Sequence, residues 1–230
     1  MLYDCRTVGE RDWGIRAAVE GIARGDLVVL PTDTVYGIAA DAFKPWAVSA
    51  LLNAKGRGRH MPPPVLVGSR HTLDGLVFSL PPTARALTEA FWPGALTIVV
   101  EQAPTLQWDL GDTYGTVAVR MPLHPVALEV LQHTGPLAVS SANRTGVAPA
   151  VTAAEAREQL GYAVATYLEA GPCSDPIPSS IVDCTGAVPR ILRDGAIPYE
   201  KLREVVPEIE PFVLTQPYLP GLPDLPGGQD

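Results

Sequence analysis

The sequence predicts an α/β domain built on a twisted, open, mixed sheet with flanking helices. Three observations carry that prediction. Stretches with helical spacing of apolar residues alternate with short β-branched runs along most of the chain. Several β runs follow one another with no helix between them, which excludes a plain doubly wound sheet. The composition is globular: 47% of the 230 residues are hydrophobic and 18% charged, while 21 glycines and 24 prolines supply many turns.

The elements follow in order. Residues 11–24 place Trp13, Ala17, Ala18, Ile22 and Ala23 at helical spacing. LVVLP at 27–31 reads as a short buried strand ended by proline. Pro45 opens a helix over 45–54, since the first helical turn leaves its N–H groups unused in any case. VLV at 65–67 is a short strand, and a helix over 82–91 stops at Trp92-Pro93-Gly94. ALTIVV (95–100) and TVAVR (116–120) are β-branched strands. Residues 124–133 are helical and closed by Gly135-Pro136, and LAVSS (137–141) is a strand. Thr152 and Glu155 have capping-box spacing ahead of a helix to Leu160. Strands at 165–169, 179–184 and 190–193 precede a helix over 198–205.

Composition shifts after that helix. Residues 207–230 hold six prolines and four acids with no Lys or Arg. The expectation is a catalytic body over 1–206 and an acidic, proline-rich tail over 207–230 that is mobile and dispensable for folding. The net charge of −8 argues against a broad basic face for nucleic acid. Cys5, Cys173 and Cys184 are odd in number and far apart, so neither a disulfide framework nor a CxxC site is indicated. No apolar run approaches the length of a membrane span, and MLYDCRTVGERDWG lacks the cationic start and apolar stretch of a signal peptide. The expected compartment is the cytoplasm, with no membrane partner.

The sequence contains no GxxxxGK[ST], GxSxG, HExxH or EF-hand pattern. Polar residues concentrate instead where strands end, which is where α/β sheets bind ligands. PTDTVYGIAADA (31–42) follows the first predicted strand and carries Thr32, Asp33, Thr34 and Tyr36. In KGRGRH (55–60), Lys55, Arg57 and Arg59 are separated by glycines, a loop suited to phosphate or carboxylate. LAVSSANRTG (137–146) runs from a strand into Ser140, Ser141, Asn143 and Thr145. Arg120, Ser179, Ser180 and Arg193 lie at or near other strand ends. The expected site is a pocket of cations and hydroxyls without a nucleophile–base pair.

The combination resembles the YrdC-like family of threonylcarbamoyl-adenylate synthases. The segments that carry the resemblance are PTDTVYGIAADA, AKGRGRHMPPPVLV, FWPGALTIVV, VAVRMPLHP, LAVSSANRTG and SSIVDCTGAVPRILRDGAI, in that order over roughly residues 10–200. The resemblance implies a twisted open sheet with a concave cationic cavity. It also implies a reaction: L-threonine, bicarbonate and ATP give threonylcarbamoyl-AMP and pyrophosphate, with Mg²⁺ on the phosphates. The product passes to a threonylcarbamoyl-transfer complex that modifies tRNA. Carried over by motif, Thr34, Arg120, Ser140 and one of Ser179 and Ser180 are the expected threonine contacts. Arg57, Thr116, Ala142 and Arg193 are the expected ATP contacts, and Lys55, Arg57, Ser141 and Asn143 line the reacting centre. The sequence departs from the family at Gly58, where proline is usual, at Met61, where asparagine is usual, and near Leu66 or Gly68, where a histidine is usual.

Two other readings compete. One is an RNA-binding, translation-related module using the same cationic cavity, against which the acidic composition counts. The other is a carbamoyl-transfer domain of hydrogenase maturation, where a related fold occurs, but its zinc-finger neighbour has no CxxC counterpart in this sequence.

Overall fold

The computed structural model describes residues 1–213. The chain runs β1 (Leu2–Asp4), α1 (Val8–Arg24), β2 (Val28–Leu30), β3 (Gly37–Asp41), α2 (Pro45–Lys55), β4 (Val65–Leu66), α3 (Arg70–Leu76) and α4 (Pro82–Phe91). It continues β5 (Leu96–Glu101), β6 (Thr116–Arg120), α5 (Pro125–Thr134), β7 (Leu137–Ser141), α6 (Ala153–Leu160), β8 (Thr166–Glu169), β9 (Ser180–Asp183), β10 (Arg190–Arg193) and α7 (Tyr199–Val205). Ten strands form one sheet in the order β1-β8-β2-β3-β7-β4-β6-β5-β9-β10. Parallel pairs (β1 with β8, β4 with β6, β5 with β9) mix with antiparallel ones (β2 with β3, β3 with β7, β9 with β10). The predicted mixed sheet is therefore observed.

The two-residue period of the strands sorts the core onto two faces. Val28 and Leu30 of β2 pack with Ile15, Ala18 and Ile22 of α1 and with Val126, Val130 and Leu131 of α5. Val29 points the other way, to a cluster with Leu51 of α2 and Ala153 and Ala156 of α6. Farther along the sheet, Ile98, Val100, Val117 and Val119 pack with Leu73 of α3, Leu87 of α4 and Leu202 of α7. Among the described residues no helix is long and apolar enough to cross a membrane.

Local chemistry sets the element ends. The Thr152 hydroxyl accepts from the Glu155 N–H, as its spacing predicted. Pro45, Pro82 and Pro125 each stand at the first turn of a helix. Helix α2 ends at Gly56, whose φ of 68° lies in the left-handed region that glycine adopts without strain.

Three elements escape the sequence reading: the seven-residue helix α3 and the strands β3 and β1. β3, GIAAD, lies inside the segment read as a polar strand end, and its glycine and alanines have little β propensity. It forms because it is buried between β2 and β7, where small side chains fit: a Cβ on Gly37 would stand 2.6 Å from Val139 Cγ1. The edge strand β1 has three residues, too few to show a period.

The body also extends beyond its expected end at residue 206. Ile209 is buried, Phe212 packs on the same core, and Glu210 exchanges backbone hydrogen bonds with Ile191 and Pro189 beside β10. Residues 207–213 therefore belong to the body, because Ile209 and Phe212 bury apolar surface that the proline-rich, acidic composition conceals. The rest of the predicted tail, 214–230, lies outside the described residues. Ending the chain at Val206 is expected to cost about 2 kcal/mol, the value of burying one large aliphatic side chain. Urea unfolding checks this, and an unchanged midpoint contradicts it.

Candidate active site

A cavity of about 680 Å³ opens on one face of the sheet, within the range of small-molecule sites. Alternate strand residues form its floor: Gly37, Val139, Leu66, Ala118, Thr97 and Ile181. Residues 145–149 of the loop after β7 form one wall. Three arginines reach it from separate elements: Arg57 after α2, Arg120 at the end of β6, and Arg193 at the end of β10.

Arg193 arrives by an irregularity. Ile191 is buried in the core, and a residue two further on would ordinarily share its face. A shift in the β9–β10 register between Ile191 and Arg193 re-aims the arginine into the cavity. Its guanidinium donates to the Ser179 carbonyl at 2.8 Å and to the Ser179 hydroxyl at 3.1 Å. Gly195 makes the close approach possible, because a Cβ there would meet Ser179 C at 2.4 Å. Burial first, then Arg120 and Arg57, push Arg193 down to about 10. Mutual repulsion among these cations is relieved by an anionic ligand.

Arg120 is almost fully buried at the cavity floor. It donates to the Gly94 carbonyl (3.0 Å), to Thr34 Oγ1 (2.9 Å) and to Asp33 Oδ1 (2.7 Å). Burial lowers its pKa, and the Asp33 carboxylate opposes that shift. Arg57 donates to the hydroxyls of Ser140 and Thr145, both at 3.2 Å. Ser179 shares a 2.7 Å hydrogen bond with Thr97, a buried lining residue that the sequence reading did not single out.

The run KGRGRH does not act as one loop. Lys55 is the last residue of α2 and is 1% exposed. Its Nζ donates to the carbonyls of Ser141 and Asn143 and to Asn143 Oδ1. Asn143 Nδ2 in turn donates to the Arg144 and Val147 carbonyls, so Lys55 organises the cavity wall from behind. Burial, then Arg57, push the Lys55 ammonium down to about 7, while its oxygen acceptors favour the charged form. Arg57 faces the cavity, whereas Arg59 is exposed and pairs with Asp109 at 2.8 Å. A glycine-separated basic run looks alike whether its members cap a helix, line a pocket or pair on the surface.

Of the other expected residues, Thr34, Ser140, Ser141, Asn143 and Ser179 line the cavity. Ser180 does not: the pleat turns it to the opposite face, where its hydroxyl donates to the Ile197 carbonyl at 2.6 Å. Thr116 shares a face with Ala118 and Arg120 but lies at the far end of β6, and its hydroxyl donates to the Thr113 carbonyl. Ala142 is buried behind the wall and donates its N–H to Tyr36 O at 2.7 Å. At the departures from the family pattern, Leu66 lines the cavity, Met61 is buried away from it, and Gly68 packs on Leu131.

The arrangement can hold a polyanion against arginines and read a small polar ligand with hydroxyls. The Sua5/YciO/YrdC family, described as telomere recombination, matches residues 20–195. A Mycobacterium tuberculosis protein provisionally named a threonylcarbamoyl-AMP synthase is 60% identical over 204 residues, covering 89% of this chain and 94% of the relative. The threonylcarbamoyl-AMP synthase of Pyrococcus abyssi is 34% identical over 199 residues, 86% of this chain but 58% of that longer protein. The structure of P. abyssi Sua5 complexed with L-threonine superposes with a TM-score of 0.84 at 32% identity, covering 92% of this chain and 62% of that one. Fold and family match converge: the chain belongs to the Sua5/YciO/YrdC family.

Proposed function

We propose that this chain is an L-threonylcarbamoyladenylate synthase, a nucleotidyltransferase that joins L-threonine, bicarbonate and ATP. The observation that carries the reading is one cavity holding three arginines and the hydroxyls of Thr34, Ser140 and Ser179. It is supported by relatives that carry the synthase name over nearly their whole length.

In this reading the threonine nitrogen bonds to the bicarbonate carbon, with loss of water. A carbamate oxygen then attacks the α-phosphorus of ATP, and pyrophosphate leaves with the electron pair of the broken P–O bond. Carbamate and triphosphate repel each other, so fixed positive charge is the chief requirement. Arg57 and Arg193 meet the phosphates, and Arg120 meets the threonine carboxylate with the N–H groups not spent on Asp33, Thr34 and Gly94. Ser141 and Asn143 border the reacting centre, while Lys55 fixes that wall without lining the cavity. Thr116, Ala142 and Ser180 take no side-chain part.

Among the described residues no cluster of three His, Cys, Asp or Glu could hold a metal ion. The polar side chains that line the cavity are neutral or cationic, and Asp33 behind it is spent on Arg120. That donor set suits magnesium carried in on the triphosphate as its counter-ion, and not one seated in the protein. The product would pass to a threonylcarbamoyl-transfer complex acting on tRNA, which places the work in the cytoplasm.

Pyrophosphate release with ATP, bicarbonate and each of the twenty amino acids tests the reading. L-threonine should be required, serine intermediate and valine poor, because a site built to bond a hydroxyl rejects analogues lacking it. Equal release with valine contradicts it.

A further inference from the structure

We propose that Thr32 is a positioning residue that fixes the hydrogen-bond polarity of Thr34, so that Thr34 accepts a hydrogen bond from the β-hydroxyl of the substrate and does not donate one. The inference rests on the threonine reading of the cavity and deepens it. It follows from counting hydrogens. A threonine hydroxyl has one hydrogen to give and two lone pairs to receive. Thr32 Oγ1 lies 2.6 Å from the Val35 carbonyl oxygen, which can only accept, so the Thr32 hydrogen is spent there. Thr32 Oγ1 also receives the Thr34 N–H at 3.1 Å and stands 3.1 Å from Thr34 Oγ1. In that last contact Thr32 has no hydrogen left, so Thr34 is the donor.

The Thr34 oxygen is constrained from its other side as well. Arg120 Nη1 donates to it at 2.9 Å, and a guanidinium has no acceptor. One lone pair remains on Thr34, a 2% exposed residue that lines the cavity. Turning its hydrogen toward a ligand would leave the second lone pair of the buried Thr32 oxygen unfilled. Asp33 holds the same arginine at 2.7 Å, so the network does not drift. The group best suited to that lone pair is a neutral hydroxyl, since a guanidinium 2.9 Å from the oxygen disfavours an ammonium beside it. Ser140 and Ser179 complement it: each receives an arginine N–H, from Arg57 and Arg193, and so has a lone pair already filled.

The test compares kcat/KM of pyrophosphate release for L-threonine and O-methyl-L-threonine, whose ether oxygen accepts but cannot donate. The wild type should prefer threonine by at least about a hundredfold. Thr32→Val frees the Thr34 hydrogen, so threonine should fall about tenfold, the ether should gain, and the preference should shrink below about tenfold. Thr32→Ser retains oxygen and hydrogen and should retain the preference. A merely structural role for Thr32 would lower both substrates by one factor; an unchanged ratio in Thr32→Val overturns the proposal. If Thr32→Val does not fold, Thr32→Ala replaces it, and wild-type use of the ether as well as threonine is by itself decisive against. Absence of any threonine-dependent release from wild type would instead be the failure of the threonine reading.

Discussion

Lys55→Ala is expected to destabilise the protein by about 3 kcal/mol and to abolish most synthesis with it. The side chain is 1% exposed and gives its ammonium hydrogens to the Ser141 and Asn143 carbonyls and to Asn143 Oδ1. Alanine leaves those buried acceptors without a donor, and each unsatisfied buried group costs about 1–3 kcal/mol. In a chain of this size, 1 kcal/mol moves the melting temperature by about 2–4 °C, so a drop of roughly 6–12 °C should be seen. The wall that Lys55 holds includes Thr145, whose N–H donates to the Lys55 carbonyl and whose hydroxyl receives Arg57, so loss of turnover follows from loss of shape. A melting temperature equal to wild type would show that the wall stands without this lysine.

Arg57→Ala is expected to do the reverse: near-normal melting and about a hundredfold slower pyrophosphate release. Arg57 is half-buried, and its bonds to Ser140 and Thr145 are neutral contacts at 3.2 Å. Substitutions of this kind away from the core usually change stability by about 0.5 kcal/mol. A preorganised cation beside developing phosphate charge is worth on the order of 3 kcal/mol in the transition state. Arg57→Lys should also be impaired, because a point charge cannot reproduce a planar fork that spans two hydroxyls. Normal release by Arg57→Ala would place the active site elsewhere.

These two residues show how far the sequence could be read. Both stand in a basic run that reads as one ligand-binding loop, and charge density alone cannot separate a buried helix-terminal lysine from a cavity arginine. The helix that buries Lys55 is legible over 45–54 from Pro45 and its apolar spacing, and only its last residue, Lys55 itself, lies beyond that reading. Most elements were legible for similar reasons: β-branched runs and proline-opened helices announce themselves locally. β3 did not, because its glycine and alanines are chosen by neighbours distant in sequence. Of the pocket, Thr34, Ser140 and Arg120 were legible as polar groups at strand ends. The choice between Ser179 and Ser180 needed the pleat, and the reach of Arg193 needed a register shift. The roles of Thr32 and Asp33 depend on which hydrogens are already committed, which no spacing encodes.

The most direct test of the account follows the carbon atom. The protein is incubated with ATP, L-threonine and ¹³C-bicarbonate, and the nucleotide products are identified by mass spectrometry. The account predicts a threonylcarbamoyl adenylate carrying the label in its carbamoyl group, formed in step with pyrophosphate and absent when bicarbonate or threonine is withheld. An adenylate without the label, or ATP consumed with no adenylate formed, would contradict it.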